Sequence, residues 1–489
     1  MNFRVIKRTL GWLLLFEAIF LLLPTVTAVA YWEKEFFIFL ISATVCAGVG
    51  GLCLIGKLKN GSIYAKEGFV IVALSWIVMS LFGALPFFLY FRQNYEWNLV
   101  DTVVNAVFET ASGFTTTGSS ILSGEQIDGM AKSVLMWRSF THWVGGMGVL
   151  VFIMAFLPLS GARNMYMMKA ESPGPTVGKL VPKVRTTAMI LYAIYSAMTL
   201  AEFVFLLCGG MPVFDALNTA FATAGTGGFG IKSTSMAGYN SYLQIVVTVF
   251  MLLFSINFNA YYMIGKRRWK EVLTAEVKAF LIIVVLAITG ITLNVFLTDT
   301  LTSFGGALRH SAFTVASVIS TTGFATEAFE HWPAFSQTVL VLLMFIGACA
   351  GSTGGGMKVS RMLIMGKGAT NEVRRMLHPK QVRKITMDKR VVDHEVVRSV
   401  NAYFMAFVLI FVGSLLVVSL EGKDMVTNFT SVVTTLNNIG PGLGEVVGTQ
   451  GSFASFHWWT KLVFIFDMLA GRLEIFPMLV LFSPWTWKK

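Results

Sequence analysis

Charge is what this sequence has least of: Asp, Glu, Lys and Arg make up 13% of its 489 residues, against about a quarter in soluble domains. Water is therefore not its main solvent. Cysteine is scarce too. Cys46, Cys53, Cys208 and Cys349 lie inside apolar runs without ligand-like spacing, which argues against a disulfide frame and a structural metal. The few histidines, among them His142, His310 and His457, are scattered, and neither HExxH nor GxSxG occurs. An intramembrane enzyme thus has no visible nucleophile, base or metal ligand set. Glycine-rich runs such as Gly225–Gly230 follow no strand, so no nucleotide fingerprint is present and the chain carries no cofactor of its own.

What the sequence has in quantity is long apolar runs. About ten are long enough for a hydrocarbon core of about 30 Å. The first, Leu10 to Tyr31, follows Arg4, Lys7 and Arg8 but is too long for a cleaved signal and reads as a retained span. Lys and Arg fall in alternate gaps, at 1–8, 57–67, 161–186, 265–278, 356–400 and the C-terminus, which together hold 29 of the 38. The positive-inside rule makes those gaps and both termini cytoplasmic and the number of spans even. The net charge of +12 then reflects topology, and a nucleic-acid partner is excluded because no basic stripe with interleaved aromatics exists. Glu96, Asp101, Glu109, Glu125, Asp128, Asp215, Asp299, Glu327, Glu330, Glu421, Asp424 and Glu445 fall toward the other side, which predicts an acidic outer mouth that concentrates cations.

A fourfold repeat organises the rest. Asn105–Gly118, Asp215–Gly228, His310–Gly323 and Thr427–Gly440 each lie between two apolar spans and are too short and polar to cross. Each predicts a half-helix N-capped by its first residue, followed by extended backbone. Non-helical backbone at membrane depth must be buried by protein or line a watery cavity, so four such pieces predict one pore. Their ends, Thr116-Thr117-Gly118, Thr226-Gly227-Gly228, Thr321-Thr322-Gly323 and Asn438-Ile439-Gly440, carry no charge and suit a dehydrated monovalent cation held by carbonyl oxygens. Glycine turns those carbonyls inward and leaves no side chain in the lumen. The fold class expected is all-α integral membrane, with about ten transmembrane helices and four re-entrant half-helices around one pore. Its units are a two-helix unit at 1–60, pore repeats at 66–165, 180–268, 272–366 and 397–489, and a basic loop at 367–396.

Two further stretches break their spans. Gly347–Lys358 (GACAGSTGGGMK) interrupts an apolar run with small residues. Arg472 and Glu474 lie within hydrophobic sequence, where a charge must face water or a partner. Glu17, Glu202, Arg138 and His142 are expected to pair between helices. Inverted repeats would reverse topology between copies; these four enter from one side, which disfavours the alternative, a broken-helix carrier coupled to sodium or protons. A bundle serving only as an assembly scaffold gives no reason for four filter-like segments.

SGFTTTGSS (Ser112–Ser120), GTGGF (Gly225–Phe229), STTGF (Ser320–Phe324) and LNNIGPGLG (Leu436–Gly444) make the chain resemble the Trk/Ktr/HKT superfamily of potassium transporters, and within it the bacterial Trk-type membrane subunit. The resemblance covers essentially the whole chain. It implies potassium uptake across the cytoplasmic (inner) membrane, with potassium bound by the twelve filter residues named above, and glycine at 118 favours potassium over sodium. Gly227, where the first and third segments have threonine, departs from the pattern and leaves that segment's contribution to the innermost site open. The resemblance further implies a gate below the filter, formed by Gly351, Ser352, Thr353, Gly354, Gly355, Gly356 and Lys358 with Arg472 pointing into the pore; pairing of Arg472 with Glu474 or Asp467 is the structural alternative. It also implies a homodimer and a cytosolic TrkA-type nucleotide-binding ring as partner, so that nucleotide acts only through that partner. The basic loop, about 357–398, can dock that partner or anionic lipid.

Overall fold

The computed structural model describes residues 1–55, 65–148, 184–381 and 383–488. Most of two basic gaps used above for orientation, 57–64 and 161–183, lies outside the described residues, as do 56–60 of the N-terminal unit, 149–165 of the first repeat and 180–183 of the second. The described chain is helical apart from a two-stranded hairpin, Thr386–Met387 with Arg390–Val391, and a single bridge between Ile346 and Met357.

Among the described residues, six helical spans are long and apolar enough to cross a membrane: Phe3–Ala30, Phe36–Leu54, Lys66–Asn94, Arg185–Cys208, Ala275–Leu297 and His394–Glu421. The last four each open a repeat and are called lead helices below. The helices that close the repeats, the return helices Lys132–Gly146, Ser241–Phe254, Ala334–Phe345 and Trp458–Arg472, have only 15, 14, 12 and 15 residues. At 1.5 Å per residue they span about 18–23 Å, short of a hydrocarbon core. The ten apolar runs are thus six full spans and four truncated ones. In the second repeat the chain bends by 92° between Ser241–Phe254 and Phe258–Gly265. Both chain ends meet on one face, as an even number of crossings requires: the Phe3 ring stacks on Trp487 with centroids 6.3 Å apart, and Lys66 Nζ donates to the Trp485 and Lys488 carbonyls.

Between lead and return helices sit four short pore helices, Leu99–Phe114, Val213–Ala224, Phe304–Ile319 and Met425–Leu436. They begin earlier than the polar residues of the repeat suggest. Asn98, Ser303 and Asp424 are the side-chain N-caps, accepting from the Asp101, Gly306 and Thr427 N–H groups, and Pro212 precedes the second helix. Asn105, Asp215, His310 and Thr427 lie inside the helices, and the first three serve tertiary bonds instead: Asn105 Oδ1 accepts from Lys461 Nζ at 2.8 Å, Asp215 from the Tyr239 hydroxyl at 2.8 Å. The pore helices are buried beyond their first turns, and many of their hydroxyls are satisfied within the helix, as in Thr110 to Ala106 O, Thr223 to Thr219 O and Ser431 to Thr427 O. A threonine bonded this way can be buried without an external partner.

Candidate functional site

All four pore helices end in the same backbone motif. The Thr117 N–H reaches back to the Ser112 carbonyl while the Thr116 N–H bonds Gly113 O, the paired 6→1 and 5→2 bonds of a Schellman terminus. The same pairs recur at Gly227/Thr226, Thr322/Thr321 and Ile439/Asn438. This terminus needs a left-handed residue, which is glycine elsewhere. Here it is Thr116, Thr226, Thr321 and Asn438, with φ of 56°, 55°, 60° and 55°. Such a backbone costs a threonine on the order of 1–3 kcal/mol and persists only where the surroundings impose it. Two residues on, Gly118, Gly228, Gly323 and Gly440 turn left-handed again, with φ of 81°, 71°, 83° and 103°.

Those four glycines close a ring. A Cβ on Gly118 would lie 2.0 Å from Gly227 O, one on Gly228 1.9 Å from Thr322 O, one on Gly323 2.2 Å from Ile439 O, and one on Gly440 2.9 Å from Thr117 O. Each segment therefore abuts the carbonyl that precedes the glycine of the next, and the fourth returns to the first. Packing between segments therefore requires glycine here, in addition to the backbone angles expected from the sequence. The four segments meet in this ring at the ends of four helix dipoles whose C-terminal charge, equivalent to about −0.5 each, favours a cation.

The departure at Gly227 also has a steric cause. In the first and third segments the threonine hydroxyl pairs within its own turn, Thr117 with Thr115 at 2.8 Å and Thr322 with Ser320 at 2.6 Å. In the second, the His142 ring fills that space: a Cβ on Gly227 would lie 2.1 Å from Nδ1. His142 uses Nδ1 on Gly113 O at 2.8 Å and Nε2 to accept the Phe229 N–H at 3.3 Å, tying the first segment to the second. The Gly227 carbonyl keeps its place in the ring. Gly227→Ala is expected to destabilise the protein by about 1–3 kcal/mol through overpacking. Thermal unfolding should show His142→Ala offsetting part of that loss, so that the double variant is more stable than the two single costs added.

Above the ring opens a vestibule lined by Ser119, Ser120, Ser233, Thr449, Arg138 and Lys232 among others. No carboxylate is among the described residues that line it, so in place of the expected acidic mouth there is, at this depth, a hydroxyl-rich one whose charged side chains are cationic. The acids are spent elsewhere. Asp128 accepts from the Ser233 N–H and hydroxyl, which lowers its pKa, Glu330 accepts from Thr449, and Glu421 from Thr460 and the His457 N–H. Glu109 is wholly buried and paired with Arg138 at 2.5 Å, while also accepting from Ser120 and Ile121 N–H. Arg138 in turn donates to Gly230 O at 2.8 Å and lies 3.7 Å over the Phe229 ring. Glu17 departs from the pairing expected of it: it is fully buried, and neither carboxyl oxygen has a hydrogen-bond partner among the described residues.

Below the ring, the truncated return helices leave carbonyls that would be orphaned at membrane depth. The 347–358 loop and Arg472 satisfy carbonyls of the first two. Cys349 N–H donates to Ser255 O at 3.0 Å, Thr353 N–H and hydroxyl both reach Phe254 O, and Phe258 N–H returns to Gly351 O. Arg472 donates to the Gly145 and Gly146 carbonyls, to Thr353 O at 2.9 Å and to the Thr116 hydroxyl at 3.3 Å. The loop lies directly under the third and fourth segments: Gly355 N–H donates to the Thr321 hydroxyl at 2.7 Å, and a Cβ on Gly355 would lie 2.6 Å from Asn437 O. Gly354, Gly355 and Lys358 are joined by Lys358 Nζ, which binds both glycine carbonyls, while Ser352 bonds back to Cys349 O and Gly351 and Gly356 supply left-handed turns. Glu474 and Asp467 serve other partners, Arg361 and Ser414. Glu276, which no sequence pattern marked, binds the loop from the third lead helix.

Comparison with known proteins came out as follows. The family model described as TrkH, cation transport protein, matches residues 34–488. The Trk system potassium uptake protein TrkH of Salmonella typhimurium is 34% identical over the whole of both chains, and its namesake from Vibrio parahaemolyticus 35%. The Trk system potassium uptake protein TrkG of Escherichia coli is 32% identical over 99% of each chain. Among solved structures, the crystal structure of the potassium transporter TrkH from Vibrio parahaemolyticus superposes with a TM-score of 0.88 at 33% identity, covering all of both chains.

Proposed function

The chain belongs to the TrkH family of cation transport proteins, and from that premise we propose that it takes up potassium through the four-segment ring, which acts as a selectivity filter. The observation that carries this reading is the closed ring itself: four uncharged segments, each lodged against a backbone carbonyl of the next. Backbone oxygens held by such contacts can replace the water shell of a bare monovalent cation. The 347–358 loop and Arg472 form the gate. In this arrangement a guanidinium is fixed beside Thr116, under the ring, where its charge opposes a cation leaving the filter. The face that carries both termini is cytoplasmic and faces a nucleotide-binding ring of partner subunits, through which nucleotide regulates the pore; the membrane subunit works as a homodimer, each protomer with its own pore, in the cytoplasmic membrane.

The test is growth at low external potassium in a strain without its own potassium systems, with the partner ring co-expressed. Intact protein should rescue growth, and Gly118→Ser should abolish rescue or admit sodium, since its Cβ would meet Gly227 O at 2.0 Å. Absence of rescue by well-expressed intact protein would overturn potassium as the substrate, and equal rescue by Gly118→Ser would overturn the filter.

A further inference from the structure

Two carboxylates at the start of the third lead helix join segments that lie far apart in sequence. Glu276 is in the first turn of Ala275–Leu297, which Thr274 caps. Its Oε1 accepts from Ala350 N–H at 2.8 Å and from Ser360 N–H at 3.0 Å. One oxygen therefore pins both feet of the 347–358 loop. The residue before it, Ala275, donates its N–H to Asp388 Oδ1 at 2.7 Å. Asp388 and Lys389 form the tip of the hairpin, and both are left-handed, with φ of 47° and 65°. A two-residue tip of this kind favours asparagine or aspartate followed by glycine, so Asp388 suits its place and the strain falls on Lys389, next to the residue that reaches the helix. On its other side Lys367 Nζ donates to Thr386 O at 2.7 Å. Lys367 belongs to Val359–Leu377, the helix that continues directly from the second foot of the loop. The hairpin is thus fastened both to the helix that holds the loop and to the helix that extends it.

Resting on the reading of the loop as the gate, we infer that Glu276 is the positioning residue that keeps the loop under the filter, and that the hairpin at residues 386–391 is the handle that moves it. Both feet share one oxygen, so a displacement of the helix start by about 1 Å takes both bonds out of range. Force on the hairpin reaches that start through Asp388. The loop then loses its hold at Ala350 and Ser360 together, while the bridge between Ile346 and Met357 and the bonds that join the loop to Ser255 and Phe254 remain as a pivot.

The experiment measures potassium flux and potassium-to-sodium ratio of the full chain in liposomes without a partner. Glu276→Ala is expected to raise flux about tenfold, the shift expected from losing charge-assisted bonds, with the ion ratio unchanged. Glu276→Gln should stay near the parent, because its amide oxygen can accept the same two N–H groups. Asp388→Ala should give a smaller rise that adds nothing to that of Glu276→Ala, and Asp388→Asn should restore the parent flux. Parent-level flux in monodisperse Glu276→Ala, beside a leaky Arg472→Ala, would overturn the inference and leave the gate standing. Parent-level flux in both would overturn the gate and the inference with it. Should Glu276→Ala not fold, Asp388→Ala decides, since unchanged flux there removes the handle.

Discussion

Gly323→Ser is expected to lower the preference for potassium over sodium by at least about tenfold, a change of about 1.4 kcal/mol. Two costs fall on the same position. At φ of 83° a side chain costs roughly 1–2 kcal/mol before it touches anything. Its Cβ would then lie 2.2 Å from Ile439 O and 2.8 Å from Pro441 Cδ, neighbours fixed by backbone and ring geometry rather than by a rotamer. The fourth segment must move, and with it the carbonyl that Gly323 abuts. Competition between potassium and sodium during uptake measures the effect, and an unchanged ratio in expressed protein would contradict the ring. Gly440→Ser should be milder, since the corresponding approach there, to Thr117 O, is 2.9 Å.

The second large effect concerns stability. Arg138→Met should destabilise the protein by about 3–5 kcal/mol, because it leaves the wholly buried Glu109 carboxylate without its ion partner. The loss also removes the bond to Gly230 O and the contact with Phe229, which join the first repeat to the loop after the second filter segment. Replacing both charges, Glu109→Gln with Arg138→Met, should cost less than Arg138→Met alone, because no uncompensated charge then remains. Thermal unfolding of the purified protein in detergent checks both; a double variant less stable than the single one would show that Glu109 does not depend on Arg138.

The four short helices and their shared non-helical ends were legible because their chemistry is local. Threonine, asparagine and glycine at the end of a short helix are a poor choice for anything but a turn, and four copies in register remove the ambiguity of one. The helix starts were misread because Asn105 and His310 look like caps when only neighbouring residues are considered, whereas their polar atoms reach Lys461 and Thr326. Glu109 looked like an outer loop acid for the same reason: its partner Arg138 is on another helix. Glu276 gave no signal at all, since its two bonds span 74 and 84 residues. The truncation of the first two return helices was hidden because hydropathy continues past the break, whereas the small residues at 347–358 and the charges of Arg472 and Glu474 mark the breaks of the third and fourth. What distinguishes the break is the destination of its free carbonyls, and that is a tertiary fact.

The bond between His142 and the second filter segment exists in one quarter of the pore only. A pore assembled from four identical subunits must accept every substitution four times, so a histidine wedge would have to suit all four positions at once. Here one chain carries four quarters that mutate separately, and the space a threonine occupies in two of them is given to an imidazole in a third while the ring of carbonyls keeps its order. Single-chain construction therefore lets selection tune one wall of the conduit while holding the other three constant.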